Sequence, residues 1–267
     1  MPMTVIETTV PTRTELDLGG RRLSYVDFGG PGRPLLALHG HVSEGRSFAA
    51  VADELGPEWR VIAPDQRGHG DSDRAAEYSR EGYLADVVAL LHHLDLGSVP
   101  VLGHSGGGIT AYQLAARHPE LVSAVVNEEG PAALPTGPSP LAFVLRMPWT
   151  APTREELVAA LGPLTPLVAH RLRELPFGGW RLPFHPQDTV SSEEQVRGDH
   201  WADWLGSSCP ALLVRGNRFP SLSEELATAM TARRPGTRLV TLETDHFVHE
   251  ADPVGFAAAV REFLGSL

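Results

Sequence analysis

The stretch Val99-Pro100-Val101-Leu102-Gly103-His104-Ser105-Gly106-Gly107-Gly108 constrains this chain more than any other, because an apolar strand runs through Gly-x-Ser-x-Gly straight into a helical pattern. Strand and helix backbones meet there at a sharp turn. A Cβ at position 103 or 107 would collide with the neighbouring element, so the turn demands glycine at both. Ser105 is thereby lifted clear of the sheet, where a base can reach its hydroxyl; such a turn is a nucleophile elbow. A nucleotide-binding loop does not fit, since the Gly-x-Gly-x-x-Gly spacing is not met and no lysine follows as in a P-loop.

Around the elbow, short leucine-rich or β-branched runs at 35–39, 61–64, 99–103, 122–126, 211–215 and 238–242 read as strands buried on both faces. Segments 47–55, 82–94, 106–117, 223–232 and 253–264 carry apolar residues at helical spacing. This alternation predicts an α/β fold with a mostly parallel central sheet flanked by helices. Segments 14–18 and 22–28, separated by Gly19-Gly20, predict an antiparallel hairpin at the sheet edge. The alternation stops between 131 and 206, which reads as a helical cap inserted into a core made of 1–130 and 207–267. Within it, 153–161 and 167–175 are the predicted helices. Its tryptophans and phenylalanines are expected mainly to form a small core of their own, with Trp149, Phe177, Trp180 and Trp201 as candidates for lining a substrate pocket.

A chain of 267 residues can bury a substantial interior. Its net charge of −11, with no Lys/Arg cluster to offset it, disfavours nucleic acid and anionic lipid and points to a small neutral or hydrophobic substrate. Cys209 is the single cysteine; it excludes an internal disulfide, suits a reducing cytoplasm, and beside Pro210 reads as a small buried hydrophobe. Positions 1–18 lack the basic flank and apolar core of an export signal, and no apolar run is long enough to span a bilayer. The histidines are spread without metal-ligand spacing, so neither metal nor organic cofactor is expected. Nothing in the sequence specifies an oligomeric state.

A serine alcohol is a poor nucleophile until an imidazole takes its proton, and that imidazole needs a carboxylate behind it to fix its tautomer. The run Thr244-Asp245-His246-Phe247-Val248-His249-Glu250 supplies two histidines after the last strand. His246, nearer the strand end, is the candidate base, and a surface or capping role is expected for His249.

With His39-Gly40-His41 ending one strand and Pro64-Asp65-Gln66-Arg67-Gly68-His69-Gly70-Asp71-Ser72 following the next, the chain resembles the α/β-hydrolases over nearly its whole length outside the insertion. The resemblance implies an oxyanion hole built from the backbone N–H groups of His41 and Gly106, and a structural role for Asp65, Arg67 and His69. Serine at 105 departs from the dehalogenase and epoxide hydrolase branches, which carry aspartate there. The usual acid, shortly after the strand at 211–215, is missing: the chain reads Asn217-Arg218-Phe219-Pro220-Ser221, with no carboxylate before Glu224. Some members, including certain lactone hydrolases, haloalkane dehalogenases and cofactor-free ring-cleaving dioxygenases, draw the acid from the preceding strand end, where this chain has Glu128-Glu129. The spacing from Ser105 best matches Glu129; Glu128, Asp245 and Glu224 stay open. Because adjacent carboxylates repel, one of the pair is expected to point inward and the other to face water. The activity implied is hydrolysis of a carboxylic ester or lactone through an acyl-enzyme. Cofactor-free oxygenation, C–C bond cleavage and non-catalytic ligand binding stay open on the same fold.

Overall fold

The computed structural model describes residues 11–218 and 220–267. Positions 1–10, on which part of the expectation about export signals falls, and Phe219 in the acid-free loop lie outside the described residues. Eight strands form one sheet: β1 (Thr12–Asp17), β2 (Arg22–Asp27), β3 (Arg33–Leu38), β4 (Trp59–Pro64), β5 (Val99–His104), β6 (Val122–Glu128), β7 (Ala211–Gly216) and β8 (Thr237–Leu242). They lie in the order β1-β2-β4-β3-β5-β6-β7-β8. The hairpin β1–β2 is antiparallel at the edge, β2 runs antiparallel to β4, and every pairing from β4 onward across the sheet is parallel. The strands and the edge hairpin therefore stand where the apolar runs placed them. Parallel strands deliver their carboxyl ends, and the loops after them, to one rim.

Strand alternation builds the two main cores. In β3, Leu36 and Leu38 face a cluster with Leu84, Val87, Ile109 and Tyr112 from helices α2 (Arg80–His93) and α3 (Gly106–Arg117), while Leu35 and Ala37 face Val51, Phe256 and Phe263 on the other side. These last come from α1 (Ala49–Leu55) and the C-terminal helix Pro253–Gly265, whose entry is fixed by Pro253 and by Asp252 accepting the Gly255 N–H at 2.9 Å.

Segment 131–206 leaves the sheet and folds differently from its prediction in two places. The helix expected over 167–175 is a single turn, Thr165–Val168, and a 3-10 turn, Ala169–Arg171, followed by extended chain at Arg173–Glu174. Ion pairs hold the chain in this course: Arg171, ending the 3-10 turn, reaches Glu250 at 2.6 Å, and Arg173, on the extended chain, pairs with Glu44 at 2.5 Å and Asp71 at 3.1 Å. A further helix, Pro186–Gln195, lies in sequence too polar to show a periodic apolar face. Val144, Leu157, Leu161, Val168, Leu182 and Phe184 form a third cluster belonging to this segment. Val196 and Trp204 pack instead into the main core, where Trp204 donates to the Met230 carbonyl at 3.0 Å. The segment's own core is thus narrower than 131–206. Among the described residues, no helix is long and apolar enough to cross a membrane.

Candidate active site

Ser105 sits between β5 and α3 with φ 53° and ψ −117°, a sparsely populated backbone region that costs on the order of 1–3 kcal/mol and persists only where its surroundings enforce it. The enforcement is visible. The Ser105 N–H donates to the Glu128 carbonyl at 2.7 Å, its own carbonyl accepts from Ile109, and a Cβ on Gly103 would strike the Gly107 carbonyl while one on Gly107 would strike that of Leu38.

Behind this elbow, β6 ends in two carboxylates that go separate ways. Glu129 has a left-handed φ of 56° and is fully buried. One of its oxygens accepts from the Gly216 N–H at 2.9 Å; the other accepts from Ser221 at 2.6 Å, Leu222 at 3.0 Å and Nδ1 of His246 at 3.2 Å. With Nδ1 donating to Glu129, Nε2 of His246 is left as an acceptor. The loop after β7, which lacks the usual acid, instead supplies backbone donors to an acid arriving from β6.

Glu128 corrects the expectation that one of the pair faces water, for it too is fully buried. Its Oε1 accepts the backbone N–H of His249 at 2.9 Å and lies 2.8 Å from His249 Nδ1. His249 is therefore neither a surface nor a capping residue: it is fully buried and stacks on Phe48 with ring centroids 4.7 Å apart. Desolvation alone would lower its pKa, but the charge and hydrogen bond of Glu128, together with the charge of Glu250, raise it. The repulsion argument failed because each carboxylate has its own imidazole.

His104 completes the group. Nε2 of its ring donates to the carbonyl of His246 at 3.0 Å, and the two rings lie 4.6 Å apart. Burial, then the nearby His246 and His249, push its pKa well down, so it stays neutral. His104, Glu128 and His249 bring ligand-type atoms within 4.8 Å of one another, a cluster that the spread of histidines in the sequence does not reveal. Glu128 Oε1 is already engaged by His249, and all three side chains are sealed from solvent, which marks a hydrogen-bonded pair beside a neutral ring rather than an open metal centre.

On the other side of the elbow, His41 follows β3 with its ring against Gly106, and its Nε2 lies 2.9 Å from Ser192 Oγ on helix Pro186–Gln195. Desolvation, reinforced by His69 and Arg80, lowers the His41 pKa to about 3. Asp65, Arg67 and His69 are buried and occupied by the fold: Asp65 accepts from Gly45 and Asp71, Arg67 pairs with Asp86 at 2.9 Å, and the His69 ring contacts the Arg67 carbonyl. Asp245 and Glu224 are exposed and hold no imidazole. Cys209 is half-buried, with Sγ 3.5 Å from Ser207 Oγ and from Arg234.

The structure separates the four aromatic candidates. Phe177 is fully exposed (103%) at the tip of a turn closed by the Leu175 N–H and the Gly179 carbonyl, so it lines no pocket. Trp201 lies against the main core with the Arg233 guanidinium 3.7 Å above its ring, and Trp180 packs into the small core of segment 131–206. Trp149 is 38% exposed and neighbours His185. Among the described residues, none of the four makes a hydrogen bond or ring contact with Ser105 or His246.

The defining pattern of the alpha/beta hydrolase fold matches residues 33–253. The chain belongs to the α/β-hydrolase fold family, and the hydrolase class follows from it and from its relatives. It is 29% identical to a 3-hydroxybutyrate-oligomer hydrolase of Cupriavidus necator, covering 93% of this chain and 94% of that one, and 31% identical to lipase LipV of Mycobacterium tuberculosis, covering 88% and 94%. The crystal structure of E-2-(acetamidomethylene)succinate hydrolase superposes with a TM-score of 0.80 at 24% identity over 96% of this chain and 100% of that chain, a likeness of fold.

Proposed function

We propose that this hydrolase cleaves a carboxylic ester or lactone of a small molecule through an acyl-enzyme on Ser105, with His246 as base and Glu129 as the acid that orients it. The observation that carries the reading is the 3.2 Å contact between Glu129 and His246 Nδ1, made beside an elbow whose serine is held at positive φ. In the first step the Ser105 oxygen adds to the acyl carbon, its proton passes to His246 Nε2, and the carbonyl π pair moves onto oxygen. The backbone N–H groups of His41 and Gly106 receive that oxyanion. Collapse expels the alcohol, which takes the proton from His246, and water repeats the sequence to release the acid. In a lactone the expelled alcohol stays tethered to the acid. Segment 131–206, with its own small core and with Ser192 beside His41, serves as the cap over this rim. The test is a panel of activated esters and lactones, with organophosphonate labelling read by mass spectrometry, run beside Ser105→Ala. Turnover and a phosphonate adduct on Ser105, both lost in Ser105→Ala, are expected. Oxygen consumption without hydrolysis, or no reaction with any ester, lactone or phosphonate, contradicts the reading.

A further inference from the structure

The chain that leaves β3 runs directly over the elbow. A Cβ on Gly40 would lie 3.0 Å from the Ser105 Cβ, and one on Gly106 would lie 3.1 Å from Cε1 of the His41 ring. Three of the next four residues, His41, Val42 and Glu44, are gripped by segment 131–206.

Val42 has φ 58°, a region that a β-branched residue occupies only where its surroundings enforce it. Its side chain is buried as a member of the small core of segment 131–206, so the enforcement comes from there. With that side chain pegged, relaxing Val42 to an ordinary negative φ would swing the peptide that joins it to His41. His41 is tied separately: Ser192 Oγ lies 2.9 Å from its Nε2 and 2.7 Å from the Tyr83 hydroxyl on α2, so helix Pro186–Gln195 links α2 to this turn. Tyr83 and Ser192 are buried, which keeps water from substituting for either bond. Glu44 closes the grip by pairing with Arg173 at 2.5 Å.

We infer that segment 131–206 holds the loop after β3 in its working shape, with Ser192 and the small core around Val42 fixing the His41 backbone N–H at the elbow; Ser192 is thus a positioning residue. The inference rests on the ester or lactone reading above, in which that N–H receives the oxyanion. A donor displaced from its aim weakens the hold on a charge that develops only in the transition state and leaves binding of the neutral ester nearly untouched.

The experiment compares wild type, Ser192→Ala, Tyr83→Phe, their double variant and Val42→Ala, with Ser105→Ala as the blank and urea unfolding of each. A neutral p-nitrophenyl ester reports turnover, and benzeneboronic acid, which forms a tetrahedral anion on serine, reports affinity for the charged adduct. A displaced donor costs less than a deleted one, so Ser192→Ala is expected to lose about 10-fold in kcat and a similar factor in boronate affinity, with KM within about twofold. Tyr83→Phe loses less, and the double variant loses no more than Ser192→Ala, because the two hydroxyls act in series. Val42→Ala loses about three- to tenfold in both readings. Unchanged kcat in Ser192→Ala and Val42→Ala, a fallen kcat beside unchanged boronate affinity, or losses that multiply in the double variant overturn the assignment. So does a loss carried by a raised KM, which would make Ser192 a substrate contact. Should Ser192→Ala fail to fold, Tyr83→Phe and Val42→Ala decide by the same readings. Absence of wild-type turnover refutes the ester or lactone reading itself, whereas wild-type turnover with these variants unaffected refutes only the positioning role.

Discussion

Glu128 Oε1 lies 2.8 Å from Nδ1 of His249, and neither side chain is exposed. One residue further along the chain, Glu129 holds His246 in the same way. Two acids adjacent in sequence thus grip two histidines three apart, one in the loop after β8 and one in the short helix Val248–Ala251, and the two pairs carry different predictions.

Glu129→Gln keeps the side chain's size and removes the charge behind His246. Turnover of an activated ester is expected to fall about 10³- to 10⁴-fold, with a loss of stability of about 1–3 kcal/mol, because either orientation of the amide sets its NH2 against a backbone N–H of Gly216 or of Ser221 and Leu222. Glu128→Gln keeps an oxygen for the two His249 N–H groups but removes the counter-charge of a buried imidazole, and is expected to destabilise the fold by about 1–3 kcal/mol in urea unfolding, with a much smaller loss of turnover. Near wild-type turnover in Glu129→Gln with collapse in Glu128→Gln would exchange the roles of the two acids.

The raised pKa of His249 makes stability depend on pH with a definite sign. A group whose pKa is higher folded than unfolded contributes in full below its unfolded value, about 6.5, and the contribution is lost as pH rises through the folded value. The difference in unfolding free energy between wild type and His249→Phe should therefore shrink on going from pH 6 into the alkaline range. A constant difference would mean that His249 is neutral throughout.

Trp204 and Phe177 test the packing of segment 131–206. Trp204 is fully buried and edge-on to Tyr112 at 5.6 Å, so Trp204→Ala is expected to cost about 3–5 kcal/mol. Phe177→Ala, at an exposed tip, should shift stability by less than about 0.5 kcal/mol and leave turnover unchanged. A large drop in kcat/KM for Phe177→Ala would mean that this ring closes onto substrate.

Steric demands made the elbow legible, because only glycine meets the approach of Gly103 and Gly107 to neighbouring carbonyls, and the apolar runs located the sheet. That Glu129, and no carboxylate of the loop after β7, lies against His246 agrees with what the family resemblance and the spacing from Ser105 implied. The second pair was not legible: judging Glu128 and Glu129 by mutual repulsion ignores that Glu128 ends a strand while Glu129 turns away at positive φ, so their carboxylates enter different surroundings. Sequence does carry the signal, two acids at a strand end and His-x-x-His in a later loop, but only the fold brings them together. Phe177 precedes Gly178-Gly179, both at positive φ, and that dipeptide marks a turn tip more strongly than the ring marks a pocket.

The small hydrophobic cluster running from Val144 to Val190 draws, beyond its own segment, on Val42 among its buried members. Grafting that stretch from one homologue onto another would disturb neither face of the sheet. That stretch can thus diverge while the twin histidine clasps at the rim keep their alignment.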